Sequence, residues 1–200
     1  MTTFNELQKK RRSIYQLGKN IDLNNDQLFE LVKNTIKETP SPFNSQSVHA
    51  VLLTGDAHEK LWEMTLAELK KVVSSEEAFA ETKNKVDNAF AAGYGTVLYF
   101  TDRKIVDGLK EQVPAYAHNF DDWAEEGMGI AIYAVWLALA EQGIGATLQH
   151  YNPLIDAGVQ EAFNIPESWV LRGQMPFGSI ENDAFEKTYL PDEDRFMRFN

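Results

Sequence analysis

Two hundred residues with 44% hydrophobic side chains, among them 12 Phe, 7 Tyr and 4 Trp, are enough to fill the core of one sizeable domain, 1–200. A formal net charge of -11 argues against nucleic acid and anionic membrane surfaces as partners, because both reward a broad basic face. With no cysteine there is no disulfide, thiolate metal site or thiol nucleophile, so redox chemistry requires an imported cofactor.

The opening, MTTFNELQKKRRS, lacks the apolar stretch of a signal peptide. The longest apolar-rich run, GMGIAIYAVWLALA, falls short of the ~20 residues that cross a bilayer, so a cytoplasmic protein is expected. Thr3 and Glu6 have capping-box spacing, which predicts a helix from Phe4 to about Lys10, with Lys9 on its solvated face and the Arg pair at its end. NNDQLFELVKNTIKETP carries apolar residues at 28, 31, 32 and 36, a helical period that Pro40 stops. SPFNSQS is a polar loop, VHAVLLTG a buried strand, and Asp56 with Glu59 is expected to cap the helix HEKLWEMTLAELKKVV. SEEAFAETKNKVDNAFAA predicts a further helix, ended by a left-handed Gly93. GTVLYF is another apolar strand and DRKIVDGLKEQ a short helix. DDWAEEGMGIAIYAVWLALAEQG predicts a long helix apolar on nearly all sides, buried centrally or against a partner subunit. IGATLQHYN, PLIDAGVQEAFN and SWVLRGQMPFG follow as strand, helix and strand, and the tail from about 179 to 200 has little periodicity.

Three stretches are candidates for chemistry. Arg11, Arg12 and Ser13 place two guanidinium forks and a hydroxyl together, either a phosphate grip or a solvated helix end whose cations complement the helix dipole. Ser41-Pro42-Phe43-Asn44-Ser45-Gln46 presents an aromatic and two amides, suited to the edge of a planar heterocycle and equally to an ordinary turn. Gly143 to His150 combines small residues that let backbone approach a flat ligand with what is also a simple helix C-cap. The histidines at 49, 58, 118 and 150 have no metal-ligand spacing, and no metal is expected. Rossmann, P-loop and hydrolase-elbow patterns are missing from the sequence. Trp62, Trp123, Trp136 and Trp169 are assigned to the core, and Asp121, Asp122, Glu125 and Glu126 to a helix start.

In order and spacing, the three stretches together resemble the FMN-dependent nitroreductase family, in particular its compact branch with an Arg-Arg-Ser-x-Tyr start. The resemblance implies an α+β sandwich, a mostly antiparallel central sheet flanked by helices, forming a homodimer with FMN in each of two interface sites. It implies that Arg11, Arg12 and Ser13 hold the phosphate, and that Ser41, Phe43, Asn44 and Gln46, from the other subunit, meet the ring and ribityl chain. Leu148, Gln149, His150 and Tyr151 match the segment over the ring, where a backbone N–H near His150 donates to N5, so no side chain is assigned as catalytic. Tyr15 stands where many relatives have a lysine near N1 and O2, and Lys83 or Lys85 could supply that charge. Of the family's C-terminal Lys-x-Arg only Lys187 is kept, with Arg195 a possible replacement. The implied reaction is ping-pong transfer from NADH or NADPH to a nitroaromatic, quinone or similar acceptor. The alternative is an FMN carrier or redox-sensing protein with incidental turnover.

Overall fold

A computed structural model describes residues 3–200. In chain order the elements are α1 (Phe4–Lys10), β1 (Leu17–Gly18), α2 (Asn25–Lys37), β2 (Val48–Thr54), α3 (Asp56–Val72), α4 (Glu76–Lys85), β3 (Gly95–Asp102), α5 (Arg103–Gln112), α6 (Phe120–Glu141), β4 (Gly145–Ala146), α7 (Asp156–Ala162) and β5 (Trp169–Ile180). The sheet runs β1-β5-β3-β2, with β4 also on β5, and all these pairings are antiparallel. This is an α+β fold of the expected kind.

The strand β3 explains the layering. All eight of its residues are buried, and its side chains alternate between two apolar cores. Val97 and Tyr99 join Leu28 and Val32 of α2 and Met128, Ile132, Val135 and Leu139 of α6. Leu98 and Phe100 join Leu61 and Trp62 of α3, Phe90, and Val159 of α7 on the other face. A strand covered by helices on both sides has no polar face, which is why GTVLYF lacks alternation.

Three expectations need correction. Gly55, not Asp56, occupies the N-cap of α3, at φ 55 and ψ -134, a conformation that side chains avoid. Asp56 and Glu59 instead lie in the first turn, and Glu59 pairs with Lys19 at 3.0 Å. The helix expected to run to Gly93 ends at Lys85 and continues as a π-helical turn, Val86–Ala91. Gly93 is not left-handed; a Cβ there would come within 2.8 Å of the Phe177 carbonyl oxygen, so close packing requires it. The strand expected from 144 to 152 is reduced to Gly145–Ala146 plus one bridge, Gln149 to Gln174. Between them Thr147 donates to the carbonyl of Pro176, which has no N–H to give back.

The tryptophan assignment holds for Trp62, 1% exposed, while Trp123, Trp136 and Trp169 are only partly buried. Helix α6 buries ten of its 22 residues and leaves a stripe open, with Ile130 44% and Tyr133 36% exposed. Beyond Ile180 the chain has no helix or strand apart from one turn, Asp192–Asp194, and Phe185, Tyr189, Leu190, Phe196, Met197 and Phe199 are exposed.

His58 gives the fold a pH dependence. It is buried, its Nδ1 is 2.9 Å from the Thr96 hydroxyl and its Nε2 3.2 Å from the Ala91 carbonyl, while the Trp62 indole donates to the same hydroxyl at 3.1 Å. A carbonyl only accepts, so Nε2 carries the proton and Nδ1 accepts from Thr96. Burial pulls the His58 pKa below its ordinary value, favouring the neutral ring in the folded state. The folded chain therefore binds fewer protons than the unfolded one below about pH 6.5, and stability, complete above that pH, falls as pH drops. Thermal unfolding from pH 7.5 to 5 should show a declining Tm, with a contribution from His58 of at most about 1.4 kcal/mol per pH unit. His58→Asn should flatten that decline, and an unchanged slope would exclude His58 as its source.

Candidate functional site

The reciprocal cap predicted at Thr3 and Glu6 is formed: Thr3 N–H donates to Glu6 Oε2 at 2.7 Å and Glu6 N–H to Thr3 Oγ1 at 3.3 Å. Helix α1 then ends at Arg11, whose backbone is extended, φ -65 and ψ 113. The chain leaves the helix as a strand-like segment: Ser13 bridges in parallel to Ala146, and Ile14 N–H donates to the Ala146 carbonyl at 3.0 Å. Two of the three stretches singled out in the sequence therefore meet in space.

Arg11 lies between two cavities. One, of about 700 Å³, is lined by Asn5, Gln8, Lys9, Arg11, Arg12, Tyr133, Lys187 and Tyr189, four cations and no carboxylate. The other, of about 430 Å³, has an apolar wall of Met128, Ile132, Trp136 and Leu148, with Gly129, Tyr133, His150, Arg11 and the Glu125–Arg172 pair around it. Among the described residues Arg11 has no carboxylate partner, and its Nε is buried with no acceptor. Burial lowers its pKa, yet a guanidinium remains charged near neutrality, so the site holds an uncompensated cation. Such a donor fits an anionic ligand group. Arg12 donates to the Phe185 carbonyl, tying the tail to the same cavity. Lys9, expected on a solvated face, lines that cavity too; Lys10 does not.

Backbone register fixes the third stretch. Thr147 and Gln149 N–H groups donate to Pro176 and Gln174 across β5, and Tyr151 N–H donates to the Gln174 side chain at 2.8 Å. By strand alternation Leu148 and His150 present their N–H groups away from β5, and among the described residues neither is hydrogen-bonded. Both residues line the apolar cavity. Gln149 turns its amide onto Thr147 Oγ1 at 3.0 Å, and the Tyr151 ring packs in the opposite core, 5.9 Å from Trp62 and 6.4 Å from Phe90.

The loop at 41–46 is strained. Phe43, Asn44 and Gln46 all have positive φ, at 56°, 52° and 52°. Ser41 holds the turn, its carbonyl accepting from Asn44 N–H and its hydroxyl from Gln46 N–H, both at 2.9 Å. Phe43 is 57% exposed, with its ring 5.4 Å from Phe120 and 6.2 Å from Trp123. The loop packs against α6 at Gly127, whereas Arg11 meets α6 at Trp136, roughly 13 Å further along the axis. Ser41 and Gln46 line a cavity of about 210 Å³ with His49, separate from the two that Arg11 lines.

Comparison with known proteins bears on this arrangement. The profile of the nitroreductase family matches residues 9–179. The chain belongs to the nitroreductase family. It is 46% identical to nitroreductase CinD from Lactococcus lactis, solved in complex with chloramphenicol, with a TM-score of 0.90 over 99% of this chain and 100% of that one. It is 37% identical to HBN1 of Saccharomyces cerevisiae, over 92% of this chain and 91% of the relative. A nitroreductase from Desulfitobacterium hafniense with bound FMN, 15% identical, shares the fold at a TM-score of 0.70, covering 99% of this chain and 100% of that one. The protein is thus an oxidoreductase of nitroreductase type.

In this nitroreductase the remaining candidates are dispersed. Tyr15 is 39% exposed with its ring 6.1 Å from Phe185, and Lys187 joins the cationic cavity with its ammonium 5.0 Å from the Tyr189 ring. Arg195 lies over Phe196 at 5.0 Å in the tail. Lys83 pairs with Asp87, and Lys85 sits 5.8 Å from the Phe90 ring, both beside the core under α3. By sequence Trp136 is assigned to the core and Glu125 to a helix start, and Tyr133, Gln174 and Arg172 have no site role; Glu125 and Arg172 pair with a closest approach of 2.7 Å. Gln174 is fully buried, but in the sequence it stands two residues from Arg172 in VLRGQMPFG, where nothing marks it as an inward-facing amide. No group of three or more His, Asp or Glu able to hold a metal occurs among the described residues, and no described helix is long and apolar enough to cross a membrane.

Proposed function

We propose that this member of the nitroreductase family is a homodimeric FMN-dependent oxidoreductase that takes electrons from NADH or NADPH and passes them to nitroaromatics, quinones or similar flat acceptors. The observation that carries the reading is Arg11, a charged, partly buried donor without an acceptor, set between a cationic cavity and an apolar one. Arg11, Arg12, Ser13 and Lys187 are assigned to the FMN phosphate. The free Leu148 and His150 N–H groups face the ring, His150 toward N5. A fixed backbone donor there costs no reorganisation during reaction.

The strained loop is assigned to the partner's site. Two-fold symmetry about the open stripe of α6 accounts for Ser41, Phe43, Asn44 and Gln46 standing apart from Arg11 within one chain. The exposed apolar tail then lies on the second subunit. Bound FMN supplies the two-electron carrier between the nicotinamide and the acceptor. The chain's own contribution is to position the ring, wall it with Met128, Ile132 and Leu148, and hold its phosphate with the cations of the larger cavity. The complex of CinD with 4-nitrophenol supports nitroaromatics as acceptors.

The purified protein should be yellow and sediment as a species of twice the chain mass. In anaerobic stopped-flow mixing, NADH or NADPH should bleach the flavin, and a nitroaromatic should restore it, both at least as fast as steady-state turnover. A flavin that NADH and NADPH leave oxidised, or that a nitroaromatic fails to reoxidise, favours the flavin-carrier reading, and a colourless preparation that binds no added FMN overturns the assignment.

A further inference from the structure

We infer that Trp136, together with Tyr133, is a positioning residue for Arg11: the two rings of α6 form a shelf that holds the guanidinium at the junction of the two cavities. The inference rests on the assignment of Arg11 to the FMN phosphate and adds what keeps that arginine in place.

The Arg11 guanidinium carbon is 4.5 Å from the centre of the Trp136 ring and 5.9 Å from that of Tyr133, both within the range of a cation–π contact. The shelf itself is anchored. Tyr133 Oη accepts from Gln8 Nε2 at 3.0 Å, so α1, which delivers Arg11, is tied to the helix on which Arg11 rests. Trp136 packs against the core of Leu28, Val135 and Leu139 and is held from below. Lys19, Lys33, Arg103, Lys110 and Arg172 are fixed by carboxylates, whereas Arg11 has none among the described residues.

Chemistry explains why a ring serves where a carboxylate would not. A carboxylate beside Arg11 would orient it and also compete with a phosphate for its N–H groups. An aromatic face attracts the cation through the flat side of the guanidinium and leaves the in-plane donors open, so the arginine is ordered without its charge being neutralised. Ordering a side chain with several rotatable bonds before the ligand arrives removes that cost from binding. Arg11 Nε is buried without an acceptor, and among the described residues the terminal guanidinium nitrogens are neither buried nor hydrogen-bonded, which leaves them as the donors a ligand can reach.

The test uses the full chain stripped of flavin, with FMN and riboflavin as titrants followed by flavin fluorescence. Trp136→Leu and the less disruptive Trp136→Met should each weaken FMN roughly five- to thirtyfold and riboflavin several-fold less, the smaller loss coming from the wall that Trp136 also gives the apolar cavity. Trp136→Phe, which keeps a face for the cation, should recover most of the FMN affinity. On an Arg11→Ala background Trp136→Met should weaken FMN by no more than it weakens riboflavin, since there is nothing left to position. Equal weakening of FMN and riboflavin, or an unchanged effect in the double variant, would show a packing role and overturn the inference. A flat response to Trp136→Met when Arg11→Ala weakens FMN removes the positioning claim alone. If Arg11→Ala itself leaves FMN affinity unchanged, the phosphate assignment fails and takes this inference with it.

Discussion

Arg11→Ala is expected to weaken FMN binding roughly ten- to a hundredfold while riboflavin binds the variant and the parent about equally. Charge-assisted hydrogen bonds contribute on the order of 1.5–3 kcal/mol, and each 1.4 kcal/mol is tenfold in affinity. The environment of Arg11 makes the reading clean, because among the described residues no carboxylate is bound to it and its removal orphans no buried acid. The deficit should shrink with added salt, as a phosphate contact must, and excess FMN should restore turnover, since the ring-facing backbone at Leu148 and His150 is untouched. Lys10→Ala is the appropriate neutral control. Lys9→Ala is not, because Lys9 shares the cationic cavity; a small loss, about twofold to fivefold, is expected there. Wild-type FMN affinity for Arg11→Ala at moderate salt would return the cation run to an ordinary helix end.

The site was legible to different depths for physical reasons. The Thr3–Glu6 box and the apolar run of β3 are local or one-dimensional signals, and both elements formed where they were expected. The break in β4 was not visible at 144–152, because its cause is Pro176 on the opposing strand. The π turn at Val86–Ala91 has no sequence mark that separates it from a continuing helix. The three candidate stretches were found by residue type, yet type does not say which way a residue faces. Leu148 and Tyr151 were grouped together, and register sends one to the cavity and the other to the core beside Trp62. The contact of Arg11 with Trp136 joins positions far apart in the chain, and an indole on an apolar helix reads as core until the arginine is seen on its face.

Gly178→Ala is expected to cost about 3 kcal/mol of folding stability, a larger effect than most core truncations of one methylene. A Cβ at Gly178 would stand 2.1 Å from the Gly18 carbonyl oxygen and 3.0 Å from the Tyr94 amide nitrogen, and both obstacles are backbone. Neither can turn aside. Gly18 is registered against Ser179 in the pairing of β1 with β5, and Tyr94 N–H donates to the Phe177 carbonyl at 2.8 Å. Relief therefore requires β5 to move, and Gly178 is also the partner of Gly145 in β4, from which the Leu148–His150 segment leads into the cavity. For a chain of this size the stability loss corresponds to a Tm lower by roughly 6–12 °C. Gly108→Ala supplies the opposite control: it lies inside α5, nothing is within 4 Å of its would-be Cβ, and replacing a helical glycine there should raise stability by about 0.5–1 kcal/mol. Calorimetric scans of the two variants beside the parent separate the cases, because glycine's entropy alone predicts stabilisation at both positions while the backbone clash predicts opposite signs. A Tm for Gly178→Ala within 2 °C of the parent would mean that β5 yields at this point, and the packing of β1, β4 and β5 around Gly178 would not be the constraint described.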